Sequence, residues 1–268
     1  GPPHAPYHTA PEKYRAMFEP EKIVLRDNVP EEHREDARKM LAGYYAHGAA
    51  LDDCLGDLLA TLDEAGIADD TIFVFTADHG DMLGSQGAYK KQQPYAESIC
   101  VPFLIRYPKI QQHGSWDFTT LVNSPDIMPT LLGLAGIDVP DTVQGSDYSS
   151  AMRTEKSPEV ESAFILCPAP FGQWIRKRGG REYRGVYTGK YTYTRGLDGP
   201  WQLFDNDNDP YQMNNLVNDA AYADTVKYLD GLVDEWLEKV KDDFKPASEH
   251  LADWGYEVDE TGTVPYKA

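Results

Sequence analysis

Thr71-Ile72-Phe73-Val74-Phe75-Thr76-Ala77-Asp78-His79-Gly80 is the stretch on which the fold turns. A continuous β-branched and aromatic run of this kind is expected on a strand buried on both faces of a parallel sheet. The run passes directly into an Asp-His pair, and in open α/β sheets ligands bind in the crevice beyond the carboxyl ends of the strands. Asp78 offers a hard anionic oxygen and His79 a borderline nitrogen, a donor pair that suits Mg²⁺, Mn²⁺, Zn²⁺ or a calcium site of unusual make-up. The plainer reading of the same dipeptide is an Asp that caps the next turn beside an ordinary loop His. After it, Gly80, Gly84 and Gly87 let the backbone fold back, and Lys90 and Lys91 can return positive charge to the strand end.

Upstream, Met40, Leu41, Tyr44, Tyr45, Leu51, Leu55, Leu58, Leu59 and Leu62 recur at three and four residues. This spacing predicts a helix from Glu35 to Ala65, stopped by Gly66. The Pro-rich, aperiodic residues 1–33 read as an ordered loop laid over other structure. Downstream, Val101 to Tyr107 is a second strand-like run. A short helix is expected between Ser124, with Pro125 in its first turn, and Gly136. Helix, strand, strand, helix belongs to an α/β layer fold.

Near residue 150 the apolar pattern turns from solid to alternating, which places a subdomain boundary there: 1–150 and 151–268. Phe164 to Leu166, Tyr183 to Thr188, Lys190 to Thr194 and Trp201 to Phe204 read as an antiparallel meander. A last helix, from about Asp219 to Lys241, carries Val226, Leu229, Leu232, Val233, Trp236, Leu237 and Val240 on one face.

The 268 residues are 41% hydrophobic and carry 25 basic against 44 acidic side chains, a net charge of −19. That apolar content excludes global disorder, and the charge argues against nucleic acid, which is approached through a basic face. No stretch approaches the roughly 20 apolar residues of a membrane span. With no initiator Met, the chain is expected to be a piece of a longer polypeptide whose start, and any signal peptide, lies elsewhere. Cys54, Cys100 and Cys167 have neither disulfide nor zinc spacing.

The segment Thr76 to Lys91 resembles the sulfatase family of the alkaline-phosphatase superfamily: a strand ending in Asp78-His79-Gly80, a Leu83-Gly84-x-x-Gly87 loop, then Lys, an aromatic and Val101-Pro102. Tyr44-Tyr45-Ala46 with Leu51-Asp52 and Gly56 is similar to the family helix before that strand. Ser124-Pro125-Asp126-Ile127-Met128-Pro129-Thr130 is similar to its Asp-x-x-Pro-Thr helix. Val186 to Tyr191, Leu203-Phe204-Asp205, Asn208-Asp209-Pro210 and Asn214-Asn215-Leu216 resemble its C-terminal sheet and turn.

The resemblance implies an alkaline-phosphatase-like α/β core with mixed or parallel strands, its C-terminal part in 1–150, and a small antiparallel sheet with a helix in 151–268. It implies that Asp78 and His79 are metal ligands, most naturally for Ca²⁺, and that Lys91, not its neighbour Lys90, touches the sulfate and the bridging oxygen. Pro3-His4-Ala5-Pro6-Tyr7 is similar to the family's Pro-His-x-Pro-aromatic segment, whose His contacts the sulfate and protonates the leaving oxygen. The implied activity is hydrolysis of a sulfate ester of a carbohydrate or an aryl alcohol, in the periplasm or outside the cell. Two departures matter. The Cys/Ser-x-Pro-Ser-Arg motif that yields formylglycine is absent, as are the paired N-terminal Asp residues, so an N-terminal half of the same enzyme is expected to supply both. His79 also stands where many members have Asn, a feature shared with relatives that cleave phosphonate monoesters and phosphodiesters. That keeps such a hydrolase open as an alternative, beside a non-catalytic binding module.

Of the remaining residues, His47 reads as packing or surface more readily than as a substrate contact, and His8, His33, His113 and His250 have no constellation. Asp52 and Asp126 are expected to fix helix ends. Arg176, Lys177, Arg178, Arg181 and Arg184 crowd into nine positions. They form either a solvated loop or, through Arg178 and Arg181, a subsite for a polyanionic substrate that the overall charge would otherwise repel.

Overall fold

The computed structural model describes residues 3–110 and 114–266, so His113 lies outside the described residues. In chain order the elements are α1 (Glu12–Arg15), α2 (Arg34–Glu64), β1 (Phe73–Thr76), α3 (Ala96–Ile99), β2 (Phe103–Arg106), α4 (Ser124–Ala135) and α5 (Ser149–Arg153), followed by β3 (Ala163–Cys167), β4 (Tyr183–Tyr187), β5 (Tyr191–Gly196), β6 (Gly199–Asp205), α6 (Ala223–Val240) and α7 (Ala247–Asp253).

Helix α2 is the expected long helix, and Gly66 leaves it at φ +68. Its buried residues are Ala37, Ala42, Ala46 and His47, in its first half, because the N-terminal segment lies across that half. Leu25 and Val29 pack there on Ala37. The leucine stripe further along is only half covered, with Leu58 54% exposed. Asp52 is an exposed mid-helix residue and not an end-capping one, because the helix runs through it.

Strands β1 and β2 pair with each other antiparallel, Phe73 opposite Arg106 and Thr76 opposite Phe103. Ile72, Phe103 and Ile105 pack toward Tyr107, Ile110, Leu134 and Met152. The other side is open enough to leave Leu104 62% exposed, so β1 is half-buried within this chain, not enclosed on both faces. A solid apolar run fixes neither strand direction nor partner, which is why the pairing departs from the sequence-based reading.

The N-cap of α4 is Asn123, one residue before the expected Ser124. The Asn123 side chain accepts from Ser124 N, and Asp126 Oδ2 accepts from Asn123 N at 2.8 Å, a reciprocal capping box. Asp126 therefore fixes a helix end, as expected, and its other oxygen holds Ser146 N at 2.7 Å.

The sheet β3-β4-β5-β6 is an antiparallel meander in sequence order. Its Val186, Tyr193 and Leu203 bury against Leu229, Leu232 and Val233 of α6, and Trp236 stacks on Phe164. The meander is stitched to the residues before it. Gln212, 2% exposed, accepts from Ala96 N at 2.8 Å and donates to Thr192 Oγ1 at 2.9 Å. Asn123 donates to Phe164 O and Tyr183 OH to Gln92 O, each at 2.9 Å. No helix among the described residues is long and apolar enough to cross a membrane.

Candidate active site

The end of β1 carries Asp78 and His79 in contact. His79 Nδ1 lies 2.7 Å from the Gly80 carbonyl, which can only accept, so Nδ1 carries the proton. In the neutral ring Nε2 is then a bare lone pair, and it faces Asp78 Oδ2 at 3.5 Å. A proton on Nε2 would make this contact an ion pair, and a cation between the two atoms would serve it equally. Asp78 Oδ1 accepts from His79 N at 3.1 Å, as a turn-capping Asp does. Metal–ligand bonds of about 2.4 Å at right angles put neighbouring donors about 3.4 Å apart, so the pair fits a calcium-sized cation. The Asp78 carboxylate is 88% exposed, which leaves room for further ligands and substrate.

Asp81 organises the loop that follows. Its Oδ1 accepts from Leu83 N at 3.1 Å and Lys90 N at 3.0 Å, closing a loop in which Leu83, Gln86 and Lys90 take positive φ. Gly80 donates to Ser98 O at 2.9 Å, and a Cβ there would stand 1.9 Å from Glu97 O, so only glycine lets the strand end lie on α3. Lys90 points to solvent, whereas Lys91 is half-buried and its carbonyl accepts from Gln173 Nε2 at 3.0 Å.

His4 is exposed and uses the same ring geometry as His79, with Nδ1 2.7 Å from Ala5 O and Nε2 left free. It lines a cleft of about 440 Å³ with Pro6, Leu51, Cys54 and His47. His47 is 6% exposed, and burial holds its pKa below the ordinary imidazole value. Thr9 Oγ1 spends its proton on Pro6 O, so His47 Nε2 donates to Thr9 and Nδ1 stays buried without a partner. The packing reading of His47 therefore holds for its burial, while the cleft it shares with His4 was not legible from spacing.

The basic run divides. Arg176 is paired with the buried Glu182, and Arg184, 1% exposed, is paired with Asp242. Lys177, Arg178 and Arg181 remain exposed, Arg181 lying over the Trp201 ring at 4.6 Å from its centroid. Their loop is tied to the Lys91 segment through Gln173 and through Gln92 Nε2, which donates to Phe171 O at 2.9 Å. Asp242, Asp243 and His250 form a second acidic cluster, but Arg184 and Lys245 already lodge beside the two carboxylates. His33 also has a partner, Tyr89 OH at 2.9 Å from its Nδ1. Burial pushes the Cys167 thiol up to about 12, so it is not a thiolate at neutral pH, whereas Cys100 is exposed.

The Sulfatase family model matches residues 2–137, and the model for the C-terminal region of N-sulphoglucosamine sulphohydrolase matches 84–239. An ulvan-active sulfatase of Formosa agariphila is 38% identical over 259 residues, covering 95% of this chain and 50% of that protein. A solved protein from work on the metabolism of multiple glycosaminoglycans by Bacteroides thetaiotaomicron superposes with a TM-score of 0.78 at 28% identity, over 99% of this chain and 56% of that one. Another, solved in complex with its substrate D-glucosamine-2-N,6-O-disulfate, gives a TM-score of 0.69 at 28% identity, over 83% and 45%. The chain thus spans about half the length of the relatives it matches, and its fold is theirs, the alkaline-phosphatase-like α/β core with a small C-terminal antiparallel sheet. This chain belongs to the sulfatase family.

Proposed function

We propose that the protein of which this chain is a part hydrolyses sulfate esters, with a sulfated carbohydrate as the substrate class. The observation that carries the reading is the Asp78–His79 pair, two acceptors 3.5 Å apart at a strand end in a chain of the sulfatase family. A divalent cation, most naturally Ca²⁺, bound by both would supply charge for the oxygens of a sulfate group. His79 holds its lone pair toward that position because Gly80 O fixes its tautomer. Lys91 places a positive charge at the developing alkoxide, and His4, protonated and donating from Nε2, delivers a proton to the leaving oxygen.

Formylglycine and the remaining acidic ligands belong to an N-terminal half of the same enzyme. The half-covered β1–β2 pair and the roughly twofold length of the relatives support that. Division of this part near residue 150 goes with the same reading. The test compares residues 1–268 alone with the complete protein on an aryl sulfate and an aryl phosphonate monoester. Multiple turnover of the sulfate by the complete protein alone is expected. Faster turnover of the phosphonate would replace the reading by the phosphonate hydrolase alternative, and turnover by the isolated chain would mean the chemistry has been misplaced.

A further inference from the structure

We infer that Tyr7 is a positioning residue that ties the His4 segment to the Asp78–His79 loop through Asp81. The inference rests on the roles of His4 and Asp78–His79 proposed above. Tyr7 OH donates to Asp81 Oδ2 at 2.5 Å across 74 residues of sequence. Burial, and then the Asp81 carboxylate, raise the Tyr7 pKa, so the phenol keeps its proton and remains the donor. Asp81 cannot follow a wandering Tyr7, because its other oxygen is already held by Leu83 N and Lys90 N.

Tyr7 is seated from a second side. A Cβ at Gly43, in the interior of α2, would stand 2.3 Å from Tyr7 O and 2.9 Å from Tyr7 Cβ. Glycine inside a helix costs about 0.5–1 kcal/mol relative to alanine. At position 43 it is what allows the Tyr7 backbone to lie directly on the helix, with the Tyr44 ring 6.3 Å from that of Tyr7.

His4, by contrast, is exposed and its ring is bonded only to the neighbouring Ala5 carbonyl. Its position is therefore inherited from Tyr7, three residues further on. His79 stands two residues before Asp81 in a loop pinned by Gly80. A proton donor on one segment and metal ligands on another are thus referenced to each other at one hydrogen bond. Misplacement of a catalytic group by about 1 Å can cost about 10²-fold in rate.

The test uses the complete protein carrying Tyr7→Phe, Gly43→Ala or His4→Ala, with kcat and KM measured on aryl sulfates whose phenols run from strongly to weakly acidic. Tyr7→Phe is expected to lower kcat by about 10- to 100-fold on the weakly acidic phenols, to spare the most acidic ones, and to leave KM nearly unchanged, with thermal stability falling by no more than the loss of one hydrogen bond to a carboxylate brings. Gly43→Ala should reproduce the pattern from the other side of Tyr7, and Tyr7→Phe should add little to His4→Ala. A Tyr7→Phe loss that is equal for all leaving groups, or that adds in full to His4→Ala, overturns the inference. If His4→Ala itself shows no dependence on the leaving group, the proposed role of His4 falls, and this inference with it. If the parent turns over no sulfate ester, the functional reading has failed before Tyr7 is at issue.

Discussion

Arg184 meets Asp242 edge to edge, Nε and Nη2 on the two carboxylate oxygens, with Arg184 Nη1 also donating to the Cys167 carbonyl at 3.2 Å. The guanidinium is 1% exposed and the carboxylate 13%. A pair this enclosed is costly to break, because the surviving charge is left without compensation. Arg184→Met is expected to destabilise the protein by about 3–5 kcal/mol. Arg184→Met with Asp242→Leu should recover much of that loss, as read by thermal and urea unfolding.

The same pair has a pH signature. Burial acts to raise the Asp242 pKa, but the hydrogen bond from Arg184, together with that from Phe244 N, outweighs it and leaves the value lowered. Its contribution to stability is then complete above the unfolded carboxylate value of about 3.9 and is lost as pH falls through the depressed folded value. The acid limb of a stability-versus-pH curve should therefore flatten in Arg184→Met. An unchanged limb would assign the acid sensitivity to other carboxylates.

If Asp78 and His79 hold a divalent cation as proposed, their geometry predicts how that site fails. His79→Ala and Asp78→Asn should each weaken binding of Ca²⁺ to the complete protein by more than the about 10–100-fold that loss of an outer hydrogen bond costs, measured by calorimetry on chelator-treated protein. Refilling with Ca²⁺ should restore activity to the parent and not to His79→Ala. Unchanged affinity in both variants would return the pair to an Asp-capped turn beside a loop His.

How much of this was legible depended on whether the signal was local. The β1 run, its Asp78-His79 end and the alternating meander strands are read from neighbouring residues, and they stand where the pattern put them. The antiparallel pairing of β1 with β2 was not legible, since an apolar run carries no direction. Asn123 and Ser124 are both good caps, and the choice is made by Asp126 returning to Asn123 N. By charge count Arg176 and Arg184 belong to a basic loop, but Glu182 and Asp242 hold them. For Arg184 the partner lies 58 residues away, beyond any charge count over a window. Tyr7 and Asp81 are separated still further, and nothing in the type or spacing of either residue announces the other.

Lys90 and Lys91 are neighbours with opposite expectations. The part of Lys90 that matters to the loop is its backbone N–H, held by Asp81 at φ +64, while its side chain faces solvent. Lys90→Ala should therefore be mild, whereas Lys91→Ala should cut turnover by roughly 10²-fold or more, the scale of losing an electrostatic stabiliser of the transition state. Steady-state kinetics of the two variants decide the assignment, and a sensitive Lys90 beside a tolerant Lys91 would reverse it.

Arg178 and Arg181 are what remains of the basic run once its structural members are set aside, together with Lys177. Both are exposed, and their loop is anchored through Gln173 to the carbonyl of Lys91. In a chain of net charge −19 such a patch is a local exception to a repulsive field, suited to a second anionic group on a substrate long enough to reach it. Arg178→Gln with Arg181→Gln should raise KM for a polysulfated oligosaccharide and leave a monosulfated aryl ester nearly unaffected. Arg181 also covers the Trp201 ring, so thermal stability measured in parallel separates lost packing from lost charge. The KM effect should shrink with added salt, because exposed charges are screened beyond about 10 Å at 0.1 M ionic strength. Equal changes on both substrates, or a KM effect indifferent to salt, would make the loop solvated surface and nothing more.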